Sequence, residues 1–316
     1  MDIGGVAVLW RPTMNAQPID RVELIPIQTA SPTARQFLTG DKNAKPAVIA
    51  GELRIPRPEP EKNVAIVLVH GSGAIGARQD RWVQELNSAG IATFELDSFT
   101  GRGIVDTISD QQQLSQLAMM VDAYRALGIL RQHRRIDPNR IAIIGFSKGA
   151  VAAVYSAVER FRKMYAPADA MFAAHIGLYT PCNTEYRGDD NVTQKPIRLF
   201  HGTADDWVSI EPCRAYVERL KKSGADVVLT EYPGAYHAYD SYTVTKMVSY
   251  PQAQTTRHCT FRESDAGEFV NASTGKKFDY NDPCVERGTH IVYNAEAAEA
   301  TLRAVKELLT TKLAAR

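Results

Sequence analysis

Residues 141–157 read IAIIGFSKGAVAAVYSA, a run of Ile and Ala interrupted by a serine between two glycines. The first part is apolar enough for a strand buried on both faces, and the second suits a helix of small residues. Gly145-Phe146-Ser147-Lys148-Gly149 therefore falls at a strand-to-helix turn. In a G-x-S-x-G turn the glycines remove side chains that would collide with the neighbouring strand and helix, and the serine hydroxyl is pushed out above the sheet. That is a nucleophile elbow. The helix start supplies unpaired N–H groups and a positive dipole end, so the main-chain N–H of Lys148 is a candidate donor to a developing oxyanion; its side chain is assigned no chemical role. The competing reading is a serine that only caps the helix.

Outward from this stretch, strand and helix patterns alternate, which predicts a mostly parallel sheet covered by helices on both faces. Predicted strands are 21–27, 48–56, 64–70, 91–97, 140–146, 174–179, 197–202 and 226–232. Asp110 and Gln113 resemble an N-cap and its partner, ahead of Leu114, Leu117, Val121 and Tyr124 at helical spacing. Asn294 is a candidate cap for a closing helix with Leu302, Val305, Leu309 and Leu313 on one face. The Pro-rich stretch 56–62 reads as a turn, not a boundary, so residues 1–316 are expected to form a single domain. One segment, about 239–290, breaks the alternation: it is polar, shows little periodicity and holds Cys259 and Cys284, whose bridge would staple it as an excursion.

Composition narrows the functional classes. Thirty-seven basic against 36 acidic residues leave a net charge of +1, which argues against a nucleic-acid or polybasic membrane surface. No run approaches the ~20 apolar residues of a membrane span, and the opening MDIGGVAVLWRP lacks the early basic residues of a signal peptide. The cysteines form no zinc spacing, so neither metal nor cofactor is expected. Four cysteines are compatible with buried thiols in a cytosolic protein or with two bridges in an exported one.

A serine nucleophile requires a base, and the base requires an orienting acid, in the chain order serine, acid, histidine on such a sheet. Past the strand at 197–202, LFHGTADDWV offers Asp205 and Asp206; past the next, EYPGAYHAYD offers His237, with His258 and His290 also in order. VLVHGSGAIG (67–76) ends an earlier strand in glycines that allow close backbone approach, making the N–H of Ser72 the second oxyanion donor. The same glycines match G-x-G-x-x-G with Asp97 at the next strand tip, a rival dinucleotide-loop reading without further support.

Together, HGSG, LDSFTGRG, DPNRIAIIGFSKG, HGTADDWV and YPGAYHAYD resemble the dienelactone hydrolase-like family of α/β-hydrolases, over roughly residues 50–240 plus the last helix. The resemblance implies that fold, places the family's G-x-x-D-x-x-V on Gly202, Asp205 and Val208, and so favours Asp205 as the acid with His237 as base and Ser147 as nucleophile. The name-giving enzymes use cysteine where this chain has Ser147, so a carboxylic-ester hydrolase acting on a small or medium ester or lactone is the safer inheritance. In this frame Cys182 and Cys213 fall at neighbouring places on the sheet's carboxyl edge, and a bridge between them would brace the Asp205 loop; two bridges imply a periplasmic or secreted location, against a cytoplasmic one without them. Arg102 and Ser98 lie at the same edge, with Arg102 either binding a substrate carboxylate or pairing with Asp97. Trp207, Tyr236 and Tyr239 flank acid and base as candidate pocket walls or simple packing. A serine peptidase or amidase, or a non-catalytic binding protein on the same fold, are the rival functions. Substrate and oligomeric state depend on shape that the sequence leaves open.

Overall fold

A computed structural model describes residues 19–57 and 61–313; the opening dodecapeptide and the middle of the Pro-rich turn lie outside the described residues. Strands β1 (Ile19–Ser31), β2 (Lys45–Pro56), β3 (Asn63–Val69), β4 (Ala92–Asp97), β5 (Ile136–Phe146) and β6 (His175–Leu178) precede the two-residue β7 (Thr184–Glu185). They are followed by β8 (Ile197–Gly202), β9 (Val227–Tyr232), β10 (Val248–Thr255), β11 (Phe261–Glu263), β12 (Phe269–Asn271) and β13 (Glu286–Ile291). The helices are α1 (Ala34–Thr39), α2 (Ala77–Ser88), α3 (Gln116–Gln132), α4 (Lys148–Tyr155), α5 (Glu159–Tyr165), α6 (Glu211–Lys222) and α7 (Ala295–Glu307).

Eight strands form one sheet in the order β1-β2-β4-β3-β5-β6-β8-β9. From β4 to β9 every pairing is parallel, while β1 and β2 close one edge antiparallel. The two faces can be read from β3: Ala65, Val67 and Val69 enter one core with α3 to α6, whereas Ile66 and Leu68 enter another with α2 and α7. Alternate side chains point to opposite faces, so an unbroken apolar strand is what two covered faces require. All eight predicted strands are present, with ends shifted by a few residues.

Two local expectations are corrected. Asp110 caps only a short 3₁₀ turn, Gln111–Gln113; Leu114 is extended, and Ser115 caps α3 through the N–H of Leu117. The segment after His237 is not irregular: β10 pairs antiparallel with β13, and β12, β11 and β7 form a small second sheet. Its strands are short and interrupted, the β10–β13 register shifting between Tyr250 and Gln254, which erases the periodicity a longer strand would show. The Cys259–Cys284 bond joins the start of this second sheet to the chain ahead of β13, and Cys182–Cys213 joins the β6–β7 connection to α6. Asn294 caps α7 through the N–H of Ala297, and Leu302, Val305, Leu309 and Leu313 are buried together. Among the described residues no helix is long and apolar enough to cross a membrane.

Candidate active site

Ser147 stands between β5 and α4 with φ 53° and ψ −116°, a backbone conformation that an L side chain adopts at a cost of about 1–3 kcal/mol. Both neighbouring glycines are obligatory. A Cβ on Gly145 would lie 2.1 Å from the Gly149 carbonyl oxygen, and one on Gly149 2.3 Å from those of Val69 and His70. The Ser147 side chain makes no cap to α4, which removes the helix-cap explanation. Its main-chain N–H donates to Leu178 O at 3.0 Å and is therefore engaged within the sheet.

The parallel sheet delivers the partners from two further strand ends. Asp205 follows β8 and His237 follows β9, and the loops fold back over Ser147. The Ser147 hydroxyl donates to His237 Nε2 at 3.0 Å, and His237 Nδ1–H donates to Asp205 Oδ2 at 2.8 Å. A carboxylate oxygen only accepts, so the proton sits on Nδ1 and leaves the Nε2 lone pair facing the serine. Asp205 Oδ1 accepts from the N–H groups of Trp207 and Val208 at 2.9 and 2.8 Å. Burial by itself would raise the Asp205 pKa, but the facing His237 and the hydrogen bonds from His201 and His237 outweigh it and hold the carboxyl below the usual range. The imidazole of His237 is flanked by Tyr179 and Trp207, whose ring centroids lie 4.7 and 5.0 Å away.

Ser147 opens into a cavity of about 430 Å³ that also touches Ser72, Lys148 and Trp207. This volume lies within the usual range of small-molecule sites. Among the described residues no group of three or more His, Cys, Asp or Glu side chains could hold a metal ion.

Of the sequence candidates, Arg102, Tyr236 and Tyr239 do not line the cavity. Arg102 is nearly buried, and its fork binds both oxygens of Asp122 at 2.8 and 2.9 Å, with further bonds to Ser31, Ser98 O and Ala30 O. It is neither free for substrate nor paired with Asp97, because the buried carboxylate of Asp122 offers a planar two-oxygen match. Asp97 instead accepts from the N–H groups of Phe99 and Thr100. Tyr239 is fully buried, its hydroxyl paired with Thr301 Oγ1, so it packs behind the site rather than lining it. His70, beside Ser72, is a structural residue: its Nδ1–H faces Gly71 O and its Nε2 accepts from Ser98 N, while burial lowers its pKa to about 4.

Gln111 was not singled out by the sequence, where it begins an unremarkable run of three glutamines. Its Oε1 accepts from Ser72 Oγ at 3.0 Å and Lys148 Nζ at 3.2 Å, and its N–H donates to Gln254 Oε1 at 2.8 Å. The amine of Lys148 also donates to Gln111 O at 2.9 Å, and burial lowers its pKa to about 7. One residue thus ties the β3 turn, the elbow and β10 together, the first two through its side chain and β10 through its main-chain N–H.

The phospholipase/carboxylesterase family matches residues 85–253, more than half of the chain and a span that includes Ser147, Asp205 and His237. The chain belongs to this family. It is therefore a hydrolase of the ester-cleaving kind, built on the α/β-hydrolase fold. Among solved structures, a dienelactone hydrolase-like promiscuous phosphotriesterase from metagenomic libraries is 15% identical with TM-score 0.57, covering 92% of this chain and 98% of that one. A putative dienelactone hydrolase from Klebsiella pneumoniae is 12% identical with TM-score 0.58, covering 92% and 99%. A thermophilic esterase of Thermogutta terrifontis is 19% identical with TM-score 0.50, covering 71% and 85%. These likenesses concern the fold, which is that of the dienelactone hydrolase-like proteins. A curated relative, dipeptidyl peptidase family member 1 of Caenorhabditis elegans, is 26% identical over 159 residues, 45% of this chain; the chain spans only 18% of that relative's length.

Proposed function

We propose that this phospholipase/carboxylesterase-family member hydrolyses small or medium carboxylic esters or lactones through an acyl-enzyme on Ser147. The observation that carries this reading is the hydrogen-bonded chain from Ser147 through His237 to Asp205 at the mouth of a cavity. His237 Nε2 takes the serine proton as Oγ attacks the carbonyl carbon; the N–H groups of Ser72 and Lys148 receive the oxyanion. Asp205 fixes the tautomer and stabilises the imidazolium. His237 then returns the proton to the leaving alkoxide, and water, activated by the same nitrogen, releases the acid.

The nucleophile assignment is tested with a fluorophosphonate and p-nitrophenyl acetate. Label on Ser147 together with turnover that Ser147→Ala abolishes supports the reading; turnover that survives Ser147→Ala removes it. The match to a dipeptidyl peptidase favours a second reading, amide cleavage by the same residues. Matched p-nitroanilides separate the two, since an esterase leaves them intact. The two disulfides support residence in an oxidising compartment such as the periplasm or the extracellular space.

A further inference from the structure

The ring of chain closed by Cys259–Cys284 contains four aromatic residues that face the Ser147 cavity: Phe261, Phe269, Phe278 and Tyr280. Phe278 lies against Phe261 with centroids 4.2 Å apart and against Tyr280 at 5.1 Å, and Phe269 connects the group to Tyr186 in the main core at 6.0 Å. Phe278 and Tyr280 are only partly buried, although large apolar rings gain most when covered. The space beside them is the active-site cavity. Among the described lining residues the basic groups are Arg257 and Lys148. Arg257 is engaged by Glu286 and by the carbonyl oxygens of Asp206 and Gly288, and Lys148 by Thr107 and Gln111. The acidic group among the described lining residues, Asp279, is exposed to solvent and accepts from the N–H of Asn281 at 2.7 Å, and the glutamines of the lining, Gln111 to Gln113 and Gln116, are polar but uncharged.

We infer that the stapled aromatic wall is a subsite for a neutral aromatic ring carried by the substrate, making this enzyme selective for aryl-bearing esters. The inference rests on the serine-esterase reading for its substrate class and on the cavity for its recognition. A ring placed against Phe278 and Tyr280 gains edge-to-face and offset contacts that a saturated ring of similar size does not. The bridge holds both ends of the wall segment, so the rings keep their place without belonging to the main sheet.

Two ester pairs test it, one for each side of the scissile bond: methyl hydrocinnamate against methyl cyclohexanepropionate, and phenethyl acetate against cyclohexylethyl acetate. In one pair kcat/KM is expected to favour the aryl ester by about tenfold. The double variant Phe278→Leu, Tyr280→Leu, which keeps apolar bulk, brings that ratio to within about twofold of one. Ratios near one in both pairs for the wild type, or a preference that survives the double variant, overturn the subsite. Calorimetric binding of benzylacetone and its cyclohexyl counterpart to the Ser147→Ala protein reads the wall without catalysis. Equal binding of the two ketones overturns the subsite even if the esterase reading stands. Preferred binding of benzylacetone, lost in the double variant, upholds it even if Ser147→Ala leaves turnover intact.

Discussion

Two histidine–aspartate pairs sit side by side in this molecule, built on adjacent carboxylates. His237 meets Asp205 at 2.8 Å, and His290 meets Asp206 at 2.7 Å, so contact distance does not separate them. Burial does: the side chains of His237 and Asp205 are 4% and 0% exposed, those of His290 and Asp206 41% and 32%. The first pair ends on a serine hydroxyl and is packed between aromatic rings. The second connects β13 to the acid loop, with the N–H of His290 donating to the other oxygen of Asp206 and Arg257 donating to its carbonyl. Coulombic and hydrogen-bond terms are strong where water is excluded and weak where it screens them. The same two residue types thus give a buried pair held against a serine hydroxyl in one place and a half-exposed loop tie in the other.

The comparison breaks most decisively at the serine. Ser147→Ala or His237→Ala is expected to lower kcat by at least about four powers of ten, and the double variant no further, because the residues act as a unit. Active-site titration with single-turnover kinetics checks this. Next, Asp205→Asn should cost about four powers of ten by reversing the imidazole tautomer, whereas Asp206→Asn should stay within about threefold of wild type. An inactive Asp206 variant beside a healthy Asp205 variant would reverse the roles of the two pairs.

Smaller effects sharpen the contrast. Gln111→Ala removes the acceptor shared by Ser72 and Lys148 and should reduce kcat about tenfold with a lesser change in KM, through misplacement of the oxyanion donors. Lys148 supplies a pH signature. Its pKa falls from 10.5 unfolded to about 7 folded, so between those values the unfolded chain binds more protons and stability rises with pH, by up to about 1.4 kcal/mol per unit. Denaturant unfolding of wild type and Lys148→Met across pH 7 to 10 should show that increment in the wild type alone. Last, His290→Ala should cost about 0.2–1 kcal/mol of stability, as half-exposed pairs do, measured by the same unfolding curves.

The contrast also marks how far the sequence could be read. Ser147 was legible because its signal is local: a glycine pair, a preceding apolar strand and a following small-residue helix lie within one short stretch. His237 and Asp205 were legible as loops past the next strand ends, but residue spacing left Asp206 and His290 in contention until family likeness favoured Asp205. Arg102 was misread because its partner, Asp122, sits on α3 and carries no mark of burial in the sequence. Gln111 was missed because an uncharged amide announces nothing until three segments converge on it, and the aromatic wall because its strands are too short for periodicity.

By itself, the sequence determined the parallel sheet covered on both faces and the strained serine turn, since side-chain alternation and backbone sterics act between residues close along the chain. Only the tertiary structure decided which histidine meets which aspartate, which charges are consumed by burial, and what surrounds the serine. Those outcomes depend on segments far apart in the chain being packed to within a few ångströms, and residue order alone does not encode that distance.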